Sequence, residues 1–398
     1  MSPNRSFPIF DVDSHVYEPT TIWTDYLEPV YRVPARSSFW HEIDPMGLEV
    51  TILNGSPAPS MNRGRINRQA IYRPGMSPKD IGSLDPTKDH PINPGAQEAS
   101  VRVTDMDAMG IDQALVLPTL FLEYFPVIDN PDVAYALARA YNNWILDFAR
   151  GAPNRLIPAA ILPMQSPSFA IRELQRVASL GFKAVAIRPS FYHGRMPHAP
   201  EYEPLWATLE STGVAACIVP SPGTTNPEWT SEGPFIERVA QNLRIGHPIA
   251  ETTALGMDSG IFLSALAFMG HLETYPLLKL GFLHAGAYWA PLALEKSETY
   301  LWLSPQMLKP VSLEPEKVFY HRSSLVSFDP WESTVPRLLD LFETIGAFGS
   351  RYPNHDTGDA WETIKMLEEG GASGDAIRRL MGGNATEFLG IEATVTTA

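Results

Sequence analysis

Short runs of Val, Ile, Leu and Phe alternate along this chain with longer segments whose apolar residues recur at helical spacing. That alternation predicts strand–helix repeats on a parallel sheet, because a parallel neighbour is reached only through a long crossover. The runs read as strands are Ile9–Val12, Gln113–Leu117, Leu156–Leu162, Lys183–Ile187, Val214–Val219, Lys279–Leu283, Leu325–Phe328 and Ile345–Gly349. Helices are predicted over Pro131–Phe148, Ser168–Leu180, Glu203–Thr212, Ala254–Glu273, Ser333–Phe342 and Gly374–Met381. Gly181 and Gly213 stop two of them, since glycine readily takes the left-handed backbone that ends a helix. Eight such repeats predict an α/β fold, a closed (β/α)8 or TIM barrel that takes residues 1–398 as one domain.

One stretch breaks the rhythm. Residues 28–100 separate the first strand from the next helix and strand, and we read them as an inserted segment covering the barrel mouth. From Val50 to Lys79 this segment has no acidic residue but carries Arg63, Arg65, Arg68 and Arg73. The chain as a whole has net charge −15, so this is a local reversal. It suits a phosphate-bearing ligand, and equally a solvated loop or a subunit contact.

Composition narrows the classes. The chain of 398 residues is 44% hydrophobic and 19% charged, the balance of a globular protein. Its acidity argues against nucleic acid as a partner. A single cysteine, Cys217, excludes an intramolecular disulfide and a zinc site built on several thiolates. The start lacks an apolar core of signal-peptide length, and Ile261–Gly270 is too short to span a bilayer. We therefore expect a cytoplasmic protein without a membrane partner. There is no Gly-rich phosphate loop and no Gly-x-Ser-x-Gly elbow.

Barrel enzymes place their chemistry at the C-terminal ends of the strands, and polar residues gather there. Strand one runs into Asp11, Asp13 and His15, which share one face while the strand persists; Glu18 follows. Carboxylate and imidazole two residues apart can hold one divalent metal, or form a hydrogen-bonded polar cluster. His284 follows strand six beside small residues, as a ligand or as a satisfied core histidine. Arg188 follows strand four. After strand eight come Arg351, Asn354, His355 and Asp356, offering donor and acceptor groups on one loop or simply a polar turn. His247 and Glu251 share a helix face if that segment is helical, as further ligands or as helix surface.

As a set these blocks resemble the amidohydrolase-2-like TIM-barrel metalloenzymes. The likeness rests on Asp11-x-Asp13-Ser14-His15-x-x-Glu18-Pro19, Met109-Gly110-Ile111-Asp112, Gly181-Phe182-Lys183-Ala184-Val185 with Arg188-Pro189, and Gly246-His247-Pro248. It continues through Phe282-Leu283-His284, Gly349-Ser350-x-Tyr352-Pro353 and Gly383-Asn384-Ala385. The resemblance implies metal ligands at Asp13, His15 and His284. It also implies a histidine at the end of strand five, where this chain has Pro220, and an aspartate after strand eight, where it has Arg351. Proline has no side-chain donor, and arginine stays protonated and cannot coordinate.

Those departures are similar to a branch of non-heme diiron monooxygenases known from platensimycin and platencin biosynthesis, an antibiotic pathway. The resemblance to that branch implies an iron-dependent oxidoreductase with two irons per chain, dioxygen and an electron donor as partners. Its substrate would be an apolar small molecule, carried as a coenzyme A thioester. The expected ligands are Asp13, His15, Glu18, His284, His355 and Asp356, with His247 and Glu251 in reserve. Asp11, Arg188, Arg351 and Asn354 would support ligands or substrate. Arg63, Arg65, Arg68 and Arg73 would meet the phosphates. The alternatives are a zinc or manganese hydrolase or non-oxidative decarboxylase, and a barrel that binds without catalysis. We further expect a homodimer.

Overall fold

In the computed structural model, described over residues 7–43, 49–57, 70–85, 90–221, 253–303, 319–320 and 322–395, eight parallel strands stand side by side in chain order. The first is β1 (Phe10–His15). A separate antiparallel sheet follows, made of β2 (Phe39–Ile43), β3 (Glu49–Leu53) and β4 (Ser56–Pro57). The barrel then resumes with β5 (Gln113–Leu117), β6 (Leu156–Ile161), β7 (Ala184–Ile187), β8 (Ala215–Ile218), β9 (Leu280–Phe282), β10 (Ser324–Phe328) and β11 (Gly346–Phe348). Ladder pairing runs unbroken from β1 through β5 to β11. The chain just past β11 closes the circle: Arg351 N donates to Asp13 O at 2.8 Å and His15 N to Tyr352 O at 2.6 Å.

The strands formed where the apolar runs lay because both faces of a barrel strand are covered. β5, β7, β8, β9, β10 and β11 are buried along their whole length. Helix Pro131–Arg150 shows the helical half of the unit. Asn130 caps it by accepting from Asp132 N and Val133 N, and Val133, Leu137, Tyr141, Trp144 and Phe148 form its buried stripe.

Some expectations change in detail. β1 runs on to His15 rather than stopping at Val12, because closure on Tyr352 keeps its end paired. The helix expected over Ala254–Glu273 breaks at Gly270, whose φ of 72° is left-handed, into Leu255–Phe268 and His271–Thr274. The one expected over Ser333–Phe342 breaks at Leu338 into Thr334–Arg337 and Leu339–Phe342.

The described parts of the 28–100 stretch touch the C-terminal side of the barrel at several points. Phe39 of β2 meets Phe121, just past β5, with ring centroids 5.3 Å apart. Tyr72 N donates to Pro353 O, just past β11, at 3.1 Å. Among the described residues no helix is long and apolar enough to cross a membrane.

Gly110 ends helix Ala99–Met109 at φ 73°, and a Cβ there would stand 2.6 Å from the Trp361 ring. Gly110→Ala is expected to destabilise by about 1–3 kcal/mol, read as a lower urea midpoint at unchanged slope. An unchanged midpoint would mean that the ring moves aside and the backbone tolerates a side chain.

Candidate metal centre

β1 carries three acids or bases in alternate positions, but they do not share one fate. Asp11 accepts from Asp13 N at 3.0 Å, Ser350 N at 2.8 Å and Ser350 Oγ at 2.5 Å. It thus pins β1 to the chain beyond β11. Burial raises its carboxyl to about 6 in spite of those bonds. The register of β1 against β5 shifts between Asp11 and Ser14, so strict alternation lapses just before the site.

Asp13 and His15 turn towards His284, which comes 269 residues after His15. His15 Nε2 stands 2.8 Å from Asp13 Oδ1 and 3.0 Å from His284 Nδ1; His284 Nδ1 is 3.2 Å from Asp13 Oδ1. All three residues are buried. His284 follows β9 in a left-handed conformation, φ 64°, with its N–H donated to Ser327 Oγ at 3.0 Å. Side chains rarely adopt that backbone, and it persists only where surroundings enforce it.

The protons decide what this triangle is. His15 Nδ1 lies 3.1 Å from Pro118 O and 3.2 Å from Thr119 Oγ. The carbonyl can only accept, and the Thr119 hydroxyl already donates to Val16 O at 2.7 Å. Nδ1 therefore bears the hydrogen. Burial, with His284 beside it, lowers the His15 pKa and so favours the neutral ring, whose Nε2 presents a lone pair. Burial alone would push the Asp13 carboxyl up. The neighbouring His284 and His15 imidazoles outweigh it and hold Asp13 well below the usual range. Two lone pairs thus face each other at 2.8 Å, and a proton on His284 Nδ1, even shared between its two contacts, leaves this third one unserved.

A single cation would serve all three. Donors about 2.1 Å from one ion at tetrahedral or octahedral angles lie roughly 3.0–3.4 Å apart. Asp13 Oδ2 is also buried without a hydrogen-bond partner. A nitrogen and oxygen set without thiolate suits zinc, manganese or iron.

The pocket beside the triangle is lined by His15, His284, Pro220, Arg351, Asn354 and His355, among others. Arg351 is left-handed, φ 61°. Its guanidinium pairs with Asp356 Oδ2 at 2.6 Å and Asp329 Oδ1 at 3.4 Å. Asp329 and Glu332 were not among the expected site residues. Asp329 directly follows β10, and position at a strand end was the one available signal. Burial raises its carboxyl, opposed by Arg351. Glu332 accepts from Ala287 N with both oxygens at 2.9 Å and from Asp329 N at 3.2 Å, joining the loops after β9 and β10. Burial, with Asp329 nearby, raises it to about 7.

Other expected residues are engaged elsewhere. Glu18 accepts from Thr119 N at 2.8 Å and Leu120 N at 3.1 Å, apart from the three converging donors. Asp356 is held in its ion pair with Arg351. Arg188 donates to the carbonyls of Glu123 and Ser221 and so braces two pocket loops. Arg73 donates to the carbonyls of Ile71, Pro91 and Ile92 at 3.1, 3.3 and 3.4 Å. Arg63, Arg65, Arg68, His247 and Glu251 lie outside the described residues.

With this geometry in hand, comparison places the chain among known proteins. A family model described as amidohydrolase matches residues 89–391. The 2-amino-3-carboxymuconate-6-semialdehyde decarboxylase of Dictyostelium discoideum is 24% identical over 308 residues, covering 76% of this chain and 79% of that protein. A gamma-resorcylate decarboxylase of Rhizobium radiobacter is 27% identical over 195 residues, 46% of this chain and 54% of that one. Among solved structures, an amidohydrolase of Mycobacterium avium subsp. paratuberculosis K-10 superposes with a TM-score of 0.78 at 20% identity, covering 97% of this chain and 100% of that one. A dihydroxybenzoic acid decarboxylase of Polaromonas sp. JS666, with bound manganese and the inhibitor 2-nitroresorcinol, gives 0.64 at 16% identity, covering 97% of both chains. The relatives of named activity are decarboxylases, which overturns the expected iron-dependent monooxygenase. They lend no support to a diiron centre or to antibiotic biosynthesis.

Glu18 supplies a pH test. Burial raises its carboxyl to about 7, against an ordinary 4.5. Between those values the folded metal-free protein binds the extra proton, so this group's contribution to stability is full below about 4.5 and is lost as pH rises through 7. Glu18→Gln should remove a slope of up to about 1.4 kcal/mol per pH unit from that window. The check is urea unfolding of both proteins from pH 4.5 to 8. Parallel profiles would mean that Glu18 is ionised throughout.

Proposed function

The chain belongs to the amidohydrolase family, and from that premise we propose that it is a metal-dependent, non-oxidative decarboxylase of a small conjugated carboxylic acid. One Mn2+ or Zn2+ ion would be held by Asp13, His15 and His284. The observation that carries the reading is the convergence of three donor atoms with at most one proton among them. When bound, such an ion supplies a fixed positive charge that receives an anionic substrate oxygen and draws electrons from the bond that breaks.

The protein's own groups do the rest. Pro118 O fixes the His15 ring by accepting from Nδ1, so the ligating nitrogen points one way. Asp13, held ionised, offsets the cation. Arg351 on the pocket wall keeps its charge at all working pH and offers donors alone, which suits an anion. In decarboxylation the carbon–carbon bond breaks, CO2 leaves, and the electron pair stays on carbon until a proton arrives there. Asp329, which directly follows β10 and lies beside Arg351 of the pocket wall, is our candidate to relay that proton. The balance needs neither oxidant, reductant nor activated water. The relatives that act on gamma-resorcylate and on 2-amino-3-carboxymuconate semialdehyde point to hydroxylated aromatic and conjugated acids as the class to try.

The test is CO2 release from a panel of mono- and dihydroxybenzoates, under argon, by protein loaded with Mn2+ or Zn2+. Asp13→Asn and His284→Ala should lower kcat/KM by about 10²–10³-fold and strip the metal. Asp329→Asn should lower kcat with KM little changed. Release that survives both a chelator and Asp13→Asn would defeat the proposal, as would no release from the loaded chain across the panel.

A further inference from the structure

Behind the ligand-bearing end of β1 lies a guanidinium that the reaction leaves without a role. Arg102, on helix Ala99–Met109, is fully buried. Its Nε donates to Gly95 O at 2.8 Å, its Nη1 to Ser14 Oγ at 2.7 Å and its Nη2 to the main-chain oxygen of His15. The guanidinium lies over the Tyr352 ring, 4.6 Å from its centroid. Tyr352 O accepts from His15 N at 2.6 Å, and Tyr352 OH donates to Asp105 Oδ2 at 2.5 Å. Asn93 Nδ2 donates to the same Asp105 oxygen at 2.7 Å and to Tyr72 O at 2.7 Å.

Burying a cation is unfavourable, and among the described residues no carboxylate forms an ion pair with this one. An apolar side chain of similar size would fill the space without that penalty. What only a planar fork supplies is donation in several fixed directions at once, together with stacking on a ring. Here the directions lead to Ser14 and His15, the two residues at the ligand end of β1, and the stacked ring belongs to the residue after Arg351.

We propose that Arg102 is the positioning residue of the metal centre. It holds the main chain from which the His15 imidazole projects and, through Tyr352, keeps that strand end in register with the loop that bears Arg351 and Asp356. It touches neither metal nor substrate. The inference rests on the metal centre proposed above.

The experiment measures Mn2+ affinity on folded metal-free protein, alongside melting temperature and near-ultraviolet dichroism. Arg102→Lys keeps a charge and loses the fork; it is expected to fold and to bind Mn2+ about 10–100-fold more weakly. Ser14→Ala removes one acceptor and should weaken Mn2+ binding about threefold or more, which keeps the proposal open to refutation if the lysine variant does not fold. Variants that melt earlier but bind Mn2+ within twofold of the parent would make Arg102 merely structural and overturn the inference. A parent chain that binds neither Mn2+ nor Zn2+ would overturn the metal reading itself, and the inference with it.

Discussion

Asp13 Oδ1 and His15 Nε2 face each other across 2.8 Å with no hydrogen assigned between them. Two lone pairs at that distance repel unless a positive charge lies between or beside them. The surroundings remove the easy escapes. Pro118 O claims the one hydrogen of the His15 ring, burial disfavours a second, and the carboxylate is held ionised. His284 closes the third side from a strained backbone. A hydrogen-bonded core cluster would satisfy its own acceptors. This one leaves them pointed at a shared point, as a cation site must.

The charges around that point suit removal of CO2 better than addition of water. Hydrolysis calls for a carboxylate that takes a proton from water, and the position after the last strand offers Arg351 instead. From the sequence, the loss of that carboxylate and the Pro220 at the end of β8 pointed towards oxidative chemistry. The decarboxylation proposed above is compatible with the same substitutions. It activates no water, so a base is not missed, and a fixed guanidinium beside an anionic substrate is an asset. Asp329 and Asp356 flank that guanidinium and hold it in place.

The buried polar groups form a second layer that ties separate strands together. Asp11 binds the start of β1 to Ser350, Glu18 binds the loop after β1 to Thr119, and Glu332 joins the loops after β9 and β10. Each carboxylate accepts main-chain N–H groups, which lower its pKa, but burial outweighs them and raises all three. Loops are the weakest part of a barrel, and these bonds anchor them around the site.

The barrel could be read from the chain because its strands are covered on both faces. Gln113–Leu117 and Leu325–Phe328 are plain apolar runs with no alternation to blur them. Asp13 and His15 were readable for a local reason too: alternate residues of a strand share a face. Their meeting with His284, 269 residues on, is a property of closure, which no local pattern encodes. Glu18 shows the converse. Its spacing suited a ligand, yet the fold brought it Thr119 and Leu120 amides first. Asp329 and Arg102 were missed for different reasons, one an acid whose only signal was its place at a strand end, the other a charge on a helix of the kind that normally faces water. Local chemistry decided which groups were available; the protons, distances and partners that turn them into a site came from residues that meet only when the barrel shuts.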